Sequence, residues 1–297
     1  MKYVITGGAG NISKPLATAL LKAGHQVSII GRNAAHLAAL TELGATATIG
    51  SVEDQQFLNN AFAGADAVYT MVPPNHNPVS WKNWIGSVGE KYAEAIRLNK
   101  ISHVVNLSSV GADLPDGCGP VSGLYKVEQA LNALPDTAVL HLRPSYFYQN
   151  LLANIGLIKA AGIMGSNFSI ADNKFPIVDP SDIAAVAAAA MLTSSFTGKT
   201  VRYIASDEVS TDAIALAIGT AIGNPALPWV SFTDEQALGG MLQAGLSNET
   251  ATNYVEMGVA MNNGSMLADY WKNRPAELGK VKLADFAKTF AAIYQQA

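Results

Sequence analysis

The chain opens on a short apolar run, Lys2 to Thr6 (KYVIT), which stops at a glycine-rich turn before apolar residues recur at helical spacing from Ile12 to Ala23. This reads as strand, turn, helix. The unit repeats with QVSII from Gln26, a helix over Ala34 to Leu43, TATI near Thr46, a helix over Asp54 to Phe62 and DAVYTM from Asp66. A helix from Trp81 to Leu98 and the strand SHVVNL from Ser102 continue the alternation. Five such strands joined by helical crossovers predict a parallel sheet covered on both faces, with ligands bound beyond the strands' carboxyl ends. The expected fold is α/β, a doubly wound parallel sheet.

From Gly111 to Gly123 (GADLPDGCGPVSG) the glycines, prolines and aspartates predict a loop. A helix over Tyr125 to Ala133 and a strand over Ala138 to Leu142 follow, and the simple alternation ends at RPSYFYQNLL. Residues 1–145 are therefore expected to form the nucleotide domain and 146–297 a smaller mixed region that returns to the sheet at least once. That region is predicted to hold a helix over Asn150 to Ala161, a strand over Phe168 to Ile170 and an Ala-rich helix over Ile183 to Leu192. A strand from Thr200 and helices after Ser210 and Thr233 complete it.

Composition narrows the classes. Hydrophobic residues make up 49% of the 297 positions and charged residues 14%, the profile of a chain that buries a large core. A net charge of −4 without a dense Lys/Arg run offers no footprint for nucleic acid or an anionic membrane, so neither partner is expected. The sole cysteine, Cys118, excludes an internal disulfide and points to a reducing, cytoplasmic setting; as a thiol it is read as a spectator in its loop, with a reactive role as the alternative. No leader-like segment precedes VITGGAG, and the Ala-rich tract is too short for a bilayer. The five histidines are scattered and no HExxH or GxSxG string occurs, so neither a metal site nor a hydrolase elbow is predicted. Asp179 and Asp182, flanking Pro180, are explained as helix caps.

The chemistry-bearing signal is Thr6-Gly7-Gly8-Ala9-Gly10-Asn11-Ile12-Ser13 at the first strand-to-helix turn. Small residues let the backbone approach a pyrophosphate, and the helix N-terminus supplies N–H donors and positive dipole. Its placement inside a repeating β/α pattern favours a dinucleotide site over a bare tight turn. Ser13 occupies the place of the usual last glycine, which is expected to widen the helix–strand contact slightly. At the end of the second strand stands Gly31-Arg32-Asn33, with no carboxylate before Glu42. A guanidinium there pairs with a 2′-phosphate, so NADP(H) is expected over NAD(H), the alternative being a solvated loop arginine.

With GGAGNIS, IIGRN, MVPP at Met71 to Pro74, LRPSYFYQNL and VDPSDIAAVA, nearly the whole chain resembles the NmrA-like branch of atypical short-chain dehydrogenases/reductases. That branch contains NADPH-dependent quinone reductases, isoflavone reductase relatives and redox-sensing regulators that bind the dinucleotide. The resemblance implies that Gly7, Gly10, Asn11 and Ile12 lie along the pyrophosphate and Arg32 at the adenosine phosphate. It also implies that Met71, Val72, Pro73 and Pro74 line the cofactor's middle and that Leu107-Ser108-Ser109 face the nicotinamide. Ser51 stands where members often carry an aspartate near the adenine, so its hydroxyl or a backbone contact is the expected substitute.

Short-chain dehydrogenases pair a tyrosine with a lysine four residues on, the cation easing proton exchange with a carbonyl oxygen. Here Tyr125 and Lys126 are adjacent, and alignment through VEQAL puts Leu124 at the lysine position. The usual couple is absent. Ser108, Tyr125 and Lys126 remain catalytic candidates, with a helix or turn cap, a helix-face residue and a solvated charge as the plain alternatives. Tyr146, Phe147 and Tyr148 are expected to enclose an acceptor ring. His76 is a loop candidate for ligand contact and His141 is read as structural. Two functions follow: an NAD(P)H-dependent oxidoreductase acting on a small, quinone-like acceptor, or an NADP(H)-sensing binding protein without turnover. The substrate and oligomeric state are not legible.

Overall fold

The computed structural model describes residues 1–75 and 77–297. In its first half β1 (Lys2–Ile5), α1 (Ser13–Lys22), β2 (Gln26–Gly31), α2 (Ala34–Glu42), β3 (Thr46–Ile49) and α3 (Gln55–Ala61) alternate. They are followed by β4 (Ala67–Thr70), α4 (Trp81–Leu98), β5 (His103–Leu107), α5 (Val121–Asn132) and β6 (Ala138–Pro144). The remainder contains β7 (Tyr146–Phe147), a 3₁₀ turn over Tyr148–Asn154, α6 (Ile155–Ala161), β8 (Met164–Ser166), β9 (Phe175–Val178), α7 (Pro180–Thr193) and β10 (Lys199–Ile204). Last come β11 (Asp207–Val209), α8 (Thr211–Ala221), β12 (Trp229–Ser231), α9 (Asp234–Gln243), α10 (Asn248–Asn262), α11 (Ala268–Lys272) and α12 (Leu283–Gln296).

Seven strands form the main sheet in the order β3-β2-β1-β4-β5-β6-β10, every neighbouring pair parallel. Because β1 leads outward to β2 while β4 starts on its other side, the strand order reverses between β1 and β4, and a crevice opens beyond their carboxyl ends. The inner strands are buried because helices cover both faces: all four residues of β4 and the last six of β6 are buried, the latter including His141 and Arg143. A small mixed sheet, β11-β9-β7, and the pair β12-β8 lie outside the main sheet.

Helix α5 starts at Val121, inside the expected loop. Glycine here serves packing: a Cβ on Gly123 would meet Ile85 Cβ at 2.7 Å, and one on Gly89 would meet Val127 Cα at 2.7 Å, so the bare backbones let α4 and α5 touch. The strand expected at Phe168 to Ile170 is also corrected. Those residues are irregular, and the Phe168 ring packs against Tyr146, Phe175 and Trp229, so its apolar signal reflects core burial rather than strand pairing.

Asp179 caps α7 by accepting the Ser181 N–H at 2.8 Å, with Pro180 in the first turn. Asp182 is not a cap. Buried, it accepts the Ser206 hydroxyl at 2.6 Å and the backbone N–H groups of Lys280 and Val281 at 3.0 and 3.1 Å, pinning the C-terminal segment to the helix. His141 sits in β6 between Asn106 and Asn132, at 3.1 and 3.0 Å, and burial lowers its pKa to about 4, so it is neutral and structural. Among the described residues no helix is long and apolar enough to cross a membrane, and no three His, Cys, Asp or Glu side chains gather as a metal site.

Candidate functional site

The glycine-rich turn lies at the carboxyl end of β1, beside the point where the sheet order reverses. Gly7 and Gly8 adopt φ of +93° and +58°, which side-chain-bearing residues rarely reach. A Cβ on Gly7 would also meet Ser13 Oγ at 2.5 Å and Met71 Cγ at 2.9 Å. Gly10 differs: a Cβ there would meet only the Gly7 carbonyl oxygen, at 3.1 Å, and otherwise open space. Ile12 gives α1 no side-chain cap; the Lys14 N–H is taken by the Gly10 carbonyl at 3.0 Å and Pro15 has none, so the N–H groups of Ile12 and Ser13 are the ones this helix start offers an anion. Ser13 is buried in the place of the last fingerprint glycine, its hydroxyl donating to the Thr6 carbonyl at 2.8 Å. Asn11 is exposed on this turn.

At the end of β2, Asn33 is used in capping α2 through the Ala35 N–H at 2.9 Å, while Arg32 is exposed. The Ser51 hydroxyl accepts the Glu53 N–H at 3.2 Å, a turn contact that occupies part of its hydrogen-bonding capacity. Met71 is pinned from two sides: its N–H donates to the Thr6 hydroxyl at 2.8 Å and its carbonyl accepts the Tyr92 hydroxyl at 2.7 Å. Met71 to Pro74 then run along a cavity of about 320 Å³.

This cavity gathers Leu107, Ser108 and Ser109 from the β5 end, Tyr146 and Phe147 from β7, Trp81 and Trp84 from α4, and Met257 and Met261 from α10. Tyr148 is not among its walls. The chain passes from β7 into the 3₁₀ turn after Phe147, and Tyr148 stacks in the core on Phe286 with ring centres 5.0 Å apart. Tyr125 and Lys126 do not line the cavity either, whereas Leu124 does; the Lys126 amine donates to Asn83 Oδ1 at 2.6 Å. His76 lies outside the described residues. Cys118 is buried, and burial and the nearby Asp113 push its thiol up to about 12, which makes it inert at neutral pH.

Behind Ser108 is a buried charge network whose Glu128 and Arg143 the sequence reading passed over. The Ser108 hydroxyl donates to Glu128 Oε1 at 2.5 Å, and Arg143 donates to both Glu128 oxygens, from Nε at 3.0 Å and from Nη2 at 2.7 Å. Arg143 Nη1 also donates to the Tyr203 hydroxyl at 2.8 Å, and that hydroxyl donates to Asp269. Burial works against the guanidinium charge, but the bonds and charge of Glu128 outweigh it and hold Arg143 above the ordinary arginine pKa. A charge on the apolar face of a helix (VEQAL) and another in an apolar strand (VLHLRP) were the available signal.

The sequence profile of the NmrA-like family matches residues 2–228. The chain belongs to the NmrA-like family. Among its relatives, an NAD(P)H azoreductase of Xenophilus azovorans is 24% identical over 296 residues, covering 99% of each chain. The NADPH-dependent quinone oxidoreductase of Escherichia coli, solved with NADPH, superimposes with a TM-score of 0.80 at 18% identity, over 97% of this chain and 99% of that one. The triphenylmethane reductase of a Citrobacter species has a TM-score of 0.79 at 17% identity, over 98% of this chain and 100% of that one. As an NmrA-like protein this chain departs from the tyrosine–lysine pattern of short-chain dehydrogenases in place as well as in spacing, since neither Tyr125 nor Lys126 reaches the cavity wall.

Proposed function

We propose that this NmrA-like protein is an NAD(P)H-dependent oxidoreductase, preferring NADPH, that reduces a flat conjugated acceptor of quinone type. The observation that carries this reading is that Met71 serves both halves of the site. Its side chain abuts the position a Gly7 Cβ would take, and it also lines the aromatic cavity, so a ligand seated on the turn extends into the acceptor space. The names of the azoreductase and quinone oxidoreductase relatives support the same chemistry. Residues 1–145 hold the cofactor in this reading, and 146–297 supply the acceptor side, in a cytoplasmic protein whose partner is a small molecule.

NADPH, when bound, supplies a hydride to the acceptor. Gly7, Gly10, Asn11 and Ile12 offer the backbone cradle for its pyrophosphate, Arg32 the pairing for its 2′-phosphate, and Met71 to Pro74 the wall along its middle. Trp81, Tyr146 and Phe147 exclude water and receive a planar ring. A quinone suits such a site because its reduced oxyanion is resonance-stabilised and solvent can protonate it, which makes a dedicated proton donor dispensable.

Two outcomes follow. Arg32→Ala should erase a preference for NADPH over NADH that is roughly tenfold or more in the parent, the worth of one charge-assisted phosphate contact, as read by calorimetry. Equal parental affinities contradict the assignment. Tyr125→Phe and Lys126→Met should each keep kcat/KM for NADPH-dependent quinone reduction within about tenfold of the parent, since losing a true acid/base group costs about 10²- to 10⁴-fold. A hundredfold loss in either, with cofactor affinity unchanged, restores the proton-donor mechanism. The absence of the tyrosine–lysine couple favours a second reading, dinucleotide sensing without turnover; NADPH binding with no oxidation across quinones, azo dyes, aldehydes and enones is its signature.

A further inference from the structure

The cavity walls are largely apolar apart from Asn150 on the 3₁₀ turn and a few groups at the strand ends, and two of the latter are buried serines with opposite hydrogen-bonding states. Ser108, 4% exposed, already donates its single proton to Glu128. The direction of that bond follows from its surroundings: both Glu128 oxygens also accept from Arg143, at 3.0 and 2.7 Å, so Glu128 acts as the acceptor of this cluster. Toward the cavity, Ser108 therefore presents lone pairs only. Ser145, 3% exposed, lines the same cavity, and its hydroxyl oxygen has no hydrogen-bond partner among the described residues. Its proton is uncommitted. The backbone N–H groups of both are in use, donating to Leu142 and Ile204 carbonyls at 2.8 and 2.9 Å, so any donation from these two residues to a ligand comes from a side chain.

An acceptor and a donor at the ends of the adjacent strands β5 and β6 are complementary to a group that carries an N–H and a C=O side by side. We propose that Ser108 and Ser145 read a primary carboxamide, that of the cofactor's nicotinamide ring, Ser108 accepting from its amide and Ser145 donating to its carbonyl. Glu128 is the positioning residue that keeps Ser108 an acceptor. This inference rests on the dinucleotide reading above. It accounts for a buried ion pair set directly behind a cavity serine, and it gives the orphan hydroxyl of Ser145 a partner.

Calorimetric titration of NADP⁺ against its 3-acetylpyridine analogue tests the assignment without turnover, because the analogue keeps the carbonyl and lacks the N–H. The parent should bind NADP⁺ roughly tenfold more tightly than the analogue, and Ser108→Ala should shrink that ratio to below about threefold. Ser145→Ala should weaken both nucleotides alike and leave the ratio as it was. Glu128→Leu, which removes the acceptor and frees the serine proton to turn toward the cavity, should also shrink the preference. Because that variant disturbs Arg143 as well, its melting curve accompanies it, and Ser108→Ala stands as the independent test. Equal parental affinities for the two nucleotides, or an undiminished preference in Ser108→Ala, overturn the assignment. So does a Ser108→Ala effect confined to KM for the quinone, which would give the serine to the acceptor. Failure of the folded parent to bind NADP⁺ at all overturns the dinucleotide reading and this inference with it.

Discussion

Gly10→Val should lower NADPH affinity by roughly a hundredfold or more, the equivalent of losing two charge-assisted phosphate contacts, while the protein still folds. The reason is the contrast between the glycines of the turn. At Gly7 a side chain would collide with Ser13 and Met71 and would have to adopt φ of +93°, so substitution there damages the fold. At Gly10 the backbone needs no left-handed conformation, and an added Cβ meets only the Gly7 carbonyl before reaching open space. A valine there fills the space through which a pyrophosphate approaches the uncapped start of α1. Calorimetry for affinity and thermal melting for folding separate the two effects. A folded Gly10→Val protein with parental NADPH affinity would show the turn to be structural only.

Arg143→Met should cost about 3–5 kcal/mol of stability, the range for removing one partner of a buried ion pair. The loss arises from what remains: Glu128, 2% exposed, keeps its contact with Ser108 but faces an apolar side chain in place of the guanidinium. Tyr203 loses its contact with Arg143 Nη1 as well. In urea titrations the midpoint falls at an unchanged slope. Glu128→Leu combined with Arg143→Met should recover much of the loss, because the stranded charge is gone. If Arg143→Met alone costs less than about 1 kcal/mol, as a solvent-screened surface pair would, the network is not the buried element described.

The first half was legible because its inner strands β1, β4 and β5 are buried on both faces and read as mostly apolar runs closed by a turn, while the edge strand β3, with no buried residue, was legible from the repeating alternation. The predicted Trp81 to Leu98 helix is reproduced as α4, whose buried Ile85, Val88, Tyr92 and Ile96 keep helical spacing. Legibility failed where one residue type serves two purposes. Gly123 looks like a loop breaker in sequence and is a helix–helix contact in space. Tyr146, Phe147 and Tyr148 look like one aromatic wall, yet the backbone changes from strand to 3₁₀ turn after the second, and the third joins the core. Helix α10, which brings Met257 and Met261 to the cavity, mixes small, polar and apolar residues (NETATNYVEMGVAMN) without a clear stripe, so its role became visible only with the tertiary structure. Glu128 and Arg143 are fifteen residues apart in the chain, and no local pattern joins them.

The central claim is that the turn and the cavity act together in hydride transfer. Its most direct test compares NADPH deuterated at either face of the nicotinamide C4 in the reduction of a naphthoquinone, followed by the loss of reduced-nucleotide absorbance. The account predicts that the parent oxidises NADPH, that deuterium on one face alone slows the reaction, and that Gly10→Val abolishes it. NADPH that binds yet stays unoxidised by every acceptor would contradict the claim and leave a sensor.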